Sequence, residues 1–210
     1  MIKRFVVNTV FIFISSLLFA QNKGFDAGIF LGFNGIHIEG QNEVLYNSTD
    51  GTIWGSGGIS AGLSVKRNLS KSFYWAFNLQ YIRKGSIYEF VNNYGRPDFE
   101  VIKLDYAELP ILLGYRIRLS KRFLYFEAGA SVAKLLNSKK LISEYNYGQD
   151  ISLFDRFKNY DYSALAELKI STNRKEKFII GVRIERSFLS IHKVYKLYNF
   201  DYGVELSYFL

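Results

Sequence analysis

Apolar side chains recur at every second residue in eight separate stretches of this chain, and that period constrains the fold more than any other feature. The clearest stretch is the last. Tyr198, Phe200, Tyr202, Val204, Leu206, Tyr208 and Leu210 share one face, and Asn199, Asp201, Gly203, Glu205 and Ser207 share the other, with Phe209 out of step. A period of two is that of a β-strand with one apolar and one polar face. Closing a sheet into a barrel requires the last strand to pair with the first, and a long amphipathic terminal strand suits that role.

The other seven stretches share the pattern. Phe25–Phe33, Ile59–Val65, Phe73–Tyr81, Leu109–Ile117, Phe126–Val132, Tyr160–Ile170 and Phe178–Ile184 each set alternate apolar residues against Gly, Ser, Asn or charged ones. The connections alternate in length. Asn68–Lys71, Ser120–Arg122 and Asn173–Glu176 read as tight turns. Gly35–Trp54, Ser86–Glu100, Lys139–Asn159 and Ser190–Leu197 read as long connections. Short turns at one rim and long loops at the other is the layout of outer-membrane barrels, with the long loops outside the cell.

Alternation alone does not say which face is inside, because a soluble barrel buries its apolar face. Three features favour the membrane arrangement. Phe, Tyr and Trp gather at strand ends, as interfacial girdles require. The polar faces mix small residues with charges of both signs, which suits a narrow filled lumen. An open terminal edge would invite aggregation. The expectation is an all-β chain, an eight-stranded antiparallel closed transmembrane β-barrel of outer-membrane type. Val182 then meets lipid, and Gly181 faces a polar lumen with room beside it.

Lys3 and Arg4 precede an apolar run from Phe5 to Phe19, followed by Ala20, Gln21 and Asn22. This reads as a signal peptide at 1–20, cleaved after Ala20, with the barrel domain at 21–210. A membrane anchor is the alternative, but about 15 apolar residues are short for a helical span. The chain has no Cys, which excludes a lipid-modified N-terminal Cys and a disulfide framework. The net charge of +8 falls to +6 without Lys3 and Arg4. No basic helix or nucleic-acid module accompanies it, so no nucleic-acid partner is expected.

Several segments resemble the small outer-membrane β-barrel proteins of PorT-like type found in Gram-negative bacteria. They are Gln80–Gly85, Leu104–Tyr115, Phe157–Tyr162 and Phe200–Phe209. The resemblance covers most of the chain after residue 20 and implies a barrel rather than a defined activity. Terminal Leu210 departs from it, where such barrels often place an aromatic.

The polar faces carry acids (Asp26, Glu108, Glu127, Glu167, Glu185, Asp201, Glu205) and bases (Lys66, Lys84, Lys169, Arg116, Arg118, Arg183) in near balance. They are expected to pair and fill the lumen, since unpaired buried charge is costly. Eight strands leave little room for an ion path. His37 and His192 fall near the long-loop rim, with Glu39 and Ser190 two residues away on the same faces. A nucleophile needs a base in reach and a third group to orient it. No such third group is apparent, and no spaced ligand set marks a metal site. No catalytic, cofactor or metal residues are therefore assigned. Pro110 cannot donate to a ladder, so a bulge at Glu108–Pro110 is expected to shift the register of Asp105 and Tyr106. Basic short turns (Lys66, Arg67, Lys71; Arg116, Arg118, Lys121, Arg122; Arg174, Lys175, Lys177) face the periplasmic rim, where lipid phosphates or water can meet them.

The expected function is that of a non-enzymatic, monomeric outer-membrane protein acting through its extracellular loops, with outer-membrane lipids and an envelope protein as partners. A subunit of an envelope secretion or assembly machine, and a hydrolase or acyl-modifying enzyme at the outer rim, are the alternatives. The 139–159 loop, with Tyr145, Tyr147, Phe154 and Phe157 among charges, is the expected recognition or capping segment.

Overall fold

The computed structural model describes residues 24–40, 52–54, 56–91, 97–142, 149–152, 155–172 and 176–210. The expected signal peptide lies outside the described residues, as do Tyr145, Tyr147 and Phe154. Eight long strands form the wall: β1 (Phe25–Gly40), β3 (Ser56–Asn68), β4 (Phe73–Val91), β5 (Pro97–Leu119), β6 (Arg122–Ile142), β8 (Tyr160–Ser171), β9 (Phe178–Ser187) and β10 (Leu197–Phe209). Two short strands, β2 (Thr52–Trp54) and β7 (Gln149–Ser152), pair with β4 and β6. Each long strand is antiparallel to its neighbours in the order β1, β3, β4, β5, β6, β8, β9, β10. β10 then returns to β1, from Gly28 opposite Phe209 to Gly40 opposite Leu197, so the ring is closed.

The expected facing is realised through the middle of the wall. Ile29, Leu31, Phe33, Ile111, Leu113, Leu168, Ile180, Val182, Ile184, Val204 and Leu206 are exposed on the outside. Aromatic pairs flank the inner end of this belt. Phe73 and Tyr115 lie 4.9 Å apart, as do Phe178 and Tyr208. Tyr160, Tyr162 and Tyr202 flank its outer end.

Toward the long-loop end the phase inverts. Ile36, Ile38, Ile82, Tyr88, Ile102, Leu104, Tyr106 and Leu135 point inward and are buried, while Arg83, Lys103, Lys134 and Lys139 take the outward positions. Below this level the outside is oil and the inside polar; above it the outside is water, so apolar residues turn in. β4 and β5 run straight through the change, in unbroken register with each other. This corrects two expectations. The connections read as Ser86–Glu100 and Lys139–Asn159 are partly strand, because β4, β5 and β6 continue beyond the apolar belt. No bulge occurs at Glu108–Pro110 either. Even-numbered residues of β5 face inward from Glu100 to Arg116 without a slip, and the register shift is opposite Asp105 and Tyr106, where β6 carries the extra residue Leu136. Asp105 and Tyr106 looked misplaced because the solvent changes, not the register.

Phe209 is also explained. It is buried on the inner face with Tyr74, Leu112, Tyr125, Leu165 and Ile179, forming an apolar floor at the short-turn end. Gly181 does face inward, but without the expected room. A Cβ there would stand 2.4 Å from Lys169 Cγ, so Lys169 lies directly across it. Val182→Arg is expected to destabilise by about 2–4 kcal/mol at mid-belt. Gly181→Ser is expected to destabilise as well, by displacing Lys169. Urea unfolding of the refolded barrel in vesicles measures both.

Candidate functional site in the lumen and its outer cap

Four cations are buried in the lumen, and three of them are spread over several acceptors. Lys84 Nζ lies 2.6 Å from Glu185, 3.2 Å from Glu108, 3.6 Å from Asp161 and 3.9 Å from Asp201. Arg183 donates to Glu108 at 2.7 Å, to Gln80 at 3.1 Å and to Glu185, and stands 3.7 Å from Glu167. Lys169 meets Glu127 at 2.9 Å, Glu205 at 3.1 Å and also Glu167. Lys66 sits 3.5 Å from Glu127, with its ammonium 4.3 Å from the centre of the Phe209 ring.

The result is one chain of alternating charge from floor to roof. It draws on every long strand except β1, because inward positions two residues apart stack along each strand. Neutral donors fill much of the rest. Tyr74 Oη donates to Glu127 at 2.6 Å, Ser207 to Glu205 at 2.8 Å and Asn199 to Asp161 at 2.8 Å.

The expected near-balance needs correcting. Asp26 and Arg118 are exposed at the inner rim, and Arg116 pairs there with Glu176 at 3.1 Å. Asp161, which alternation had placed on the polar face of its strand, joins the lumen. Among the described residues the connected charge chain is seven acids (Glu108, Glu127, Asp161, Glu167, Glu185, Asp201, Glu205) and four bases, while the buried, inward Glu100 pairs separately with Lys140 at 2.5 Å.

An apolar roof closes the other end. Ile38, Ile82, Tyr88, Ile102, Leu104, Tyr106, Leu135, Phe157, Ile191 and Leu197 form one buried cluster over the charges. Phe157, 1% exposed, belongs to the loop expected to recognise or cap. Its segment is laid against the last loop: Lys158 N–H donates to the Ile191 carbonyl at 2.7 Å and Lys193 N–H to the Arg156 carbonyl at 3.0 Å. The segment Arg156–Lys158 of the 139–159 connection therefore caps the barrel.

His192 and Ser190 are engaged with the backbone of the last loop. His192 Nδ1 accepts the N–H groups of Val194 and Tyr195 at 3.2 and 3.0 Å, so it is the acceptor that ties the last loop. Tyr195 stacks on the imidazole at 4.9 Å, and Phe157 meets it edge-on at 5.4 Å. Ser190 Oγ donates to the Tyr195 carbonyl at 2.7 Å and accepts Leu197 N–H at 3.3 Å. Both side chains organise the cap. Glu39 pairs with Arg186 at 2.8 Å. Sequence reasoning missed these cap roles, since nothing in the spacing of Ser190 and His192 reveals backbone partners.

A family described as outer membrane protein beta-barrel domain matches residues 19–193, and the chain belongs to it. None of the curated proteins matches the sequence. Solved structures of similar fold include Ail, the attachment invasion locus protein of Yersinia pestis, in complex with the heparin analogue sucrose octasulfate. It is 15% identical, with a TM-score of 0.49, over 89% of this chain and 99% of that one. Neisserial surface protein A is 8% identical, with a TM-score of 0.47, over 89% and 97%. OprG from Pseudomonas aeruginosa is 10% identical, with a TM-score of 0.43, over 88% and 95%.

Lys84→Met removes the cation shared by four carboxyl groups, leaving Glu108 and Glu185 to Arg183 alone, and is expected to cost about 3–5 kcal/mol, as when one partner of a buried pair is removed. Lys84→Met/Glu185→Gln is expected to recover part of that in the same unfolding measurement. Burial pushes the His192 pKa below its ordinary 6.5, and the Arg156 guanidinium adds to the effect. A lowered pKa means the folded cap prefers the neutral ring. Its stabilisation is present above 6.5 and is lost as pH falls through the lowered folded value. Amide exchange at residues 191–197 is expected to speed up over that fall. In His192→Gln the step is expected to vanish.

Proposed function

We propose that this outer-membrane barrel is a non-enzymatic, monomeric structural or interaction protein that presents its extracellular loops to an envelope partner. The single observation that carries the reading is the lumen closed at both ends. Floor, charge chain and roof fill the interior with packed side chains among the described residues, which favours the outer surface for recognition. The engagement of His192 and Ser190 within the cap supports the absence of a hydrolytic centre at the outer rim. The likeness of Leu104–Tyr115 and Phe200–Phe209 to PorT-like barrels supports membership of that narrower group and a role beside envelope assembly components. Export with cleavage after Ala20 completes the proposal.

The test uses the full chain expressed in a Gram-negative host. N-terminal sequencing of the outer-membrane form is expected to begin at Gln21. In planar bilayers the purified barrel is expected to show no steady conductance; an ohmic channel would contradict the closed lumen. Replacing residues 143–154 by a Gly/Ser stretch of equal length is expected to preserve heat-modifiable migration and abolish co-purification of the envelope partner. Retention of that partner would contradict recognition through this loop.

A further inference from the structure

Two carboxyl pairs in the lumen are forced together by the register of the wall. Glu127 of β6 stands directly opposite Glu167 of β8, and Glu185 of β9 directly opposite Asp201 of β10. All four side chains point inward, and none is more than 4% exposed. Directly opposed residues hold their Cβ atoms about 5 Å apart, and like charges so placed destabilise a sheet. Two buried carboxyl groups sharing one site do not both ionise, because the second charge meets both repulsion and desolvation.

The neighbours of each pair distinguish anion from acid. Glu127 is the anion of the first. Tyr74 Oη donates to it at 2.6 Å, and Lys169 and Lys66 lie 2.9 and 3.5 Å away. Its carboxyl is also in hydrogen-bonding contact with that of Glu167. Such a bond needs a proton on one partner, since an ionised carboxylate only accepts. Glu167 supplies it. Glu167 does touch Lys169, but that ammonium is divided with Glu127 and Glu205. Arg183, opposite Glu167 on β9, stays 3.7 Å away while donating to Glu108 at 2.7 Å and to Glu185. The charges facing this pair are thus Lys66 of β3, Lys169 of β8, Arg183 of β9 and Glu205 of β10.

In the second pair Glu185 is the anion. Lys84 lies 2.6 Å from it, Ser131 Oγ donates to it at 3.2 Å, and Arg183 pairs with it. Asp201 is left with Lys84 at 3.9 Å, and among the described residues no group donates a hydrogen bond to either of its oxygens. The other charges around it are Glu108 of β5 and Arg183 of β9, with Asp161 of β8 on the same ammonium. Among the described residues, seven acids against four bases leave the connected chain three charges negative. One proton in each pair brings that excess down to one.

We propose that the lumen binds two protons at neutral pH, one in the Glu127–Glu167 pair and one on Asp201, and that they hold the charge chain together. In the unfolded chain these carboxyl groups ionise well below neutral pH. The folded barrel therefore keeps protons that the unfolded chain releases, and its stability falls as pH rises until those protons leave. The device is independent of any loop partner.

The test records the infrared absorption of protonated carboxyl groups in the folded mature barrel at neutral pH, in maltoside micelles, which carry no carbonyl of their own. Glu167→Gln and Asp201→Asn replace each neutral acid by a neutral amide. Glu39→Gln, whose carboxylate pairs with the exposed Arg186, is the control. Heat-modifiable migration confirms that each variant is folded. Native chain and control are expected to show the band equally, each single variant a weaker band and the double variant none. A native barrel without the band would overturn the proposal with no variant needed. An undiminished band in the double variant would overturn the assignment to these residues. Urea midpoints from about pH 5 to about pH 9 give the second readout. The native midpoint is expected to fall with rising pH, and the double variant is expected to lose that decline. Equal slopes would overturn the link between these protons and stability.

Discussion

In hydrocarbon no water is present to satisfy a peptide group, so every N–H and C=O in the membrane must pair within the protein. That constraint forces β10 onto β1, and the rest of the structure follows from the closure. A ring of eight strands encloses an interior barely wide enough for side chains. Whatever points inward must then fill that space and be satisfied there. The polar faces cannot be wet as a porin lumen is wet. Lys84, Lys169 and Arg183 are therefore each shared among several carboxylates, Lys66 sits between Glu127 and aromatic rings, and Tyr74, Asn199 and Ser207 donate to acids of the same set. The strands are joined across the lumen as well as around the wall.

The floor and roof give this network its setting. Tyr74, Tyr125 and Phe209 close one end, and Tyr106, Phe157, Ile191 and Leu197 close the other. Between them, breaking one ion pair leaves its partners without water to fall back on. The last loop, tied by His192 and Ser190, belongs to the roof, and its side chains serve architecture.

Much of this was legible in the sequence, and the residues that were not share a physical reason. Leu31, Ile111, Val182 and Val204 are outward because a lipid-facing strand must be apolar on that side, and alternation finds them at once. Ile82, Leu104 and Tyr106 escaped because the same strand passes from lipid into water, and its apolar residues change sides without any change in backbone. Period-two reading assumes one solvent along a strand. Phe209 looked out of step for the related reason that it fills the floor beneath Lys66. The cap was hidden for another reason: His192 and Ser190 act on backbone groups, which leave no trace in residue type. Gly181 marks an approach by Lys169 that belongs to the neighbouring strand and is invisible in one dimension.

The central claim is that one continuous strand reverses its apolar face where the membrane ends. The chain contains no Cys, so single cysteines can be placed along β5 without background. The decisive measurement attaches a spin label at each position from 101 to 115 in the barrel, reconstituted in vesicles, and compares relaxation by oxygen with that by a water-soluble nickel complex. The account predicts oxygen access at 109, 111, 113 and 115, and nickel access at 101, 103 and 105. Even-numbered positions are expected to be shielded from both throughout. A slip of that alternation by one residue near 108–110, or oxygen access continuing through 103, would contradict it.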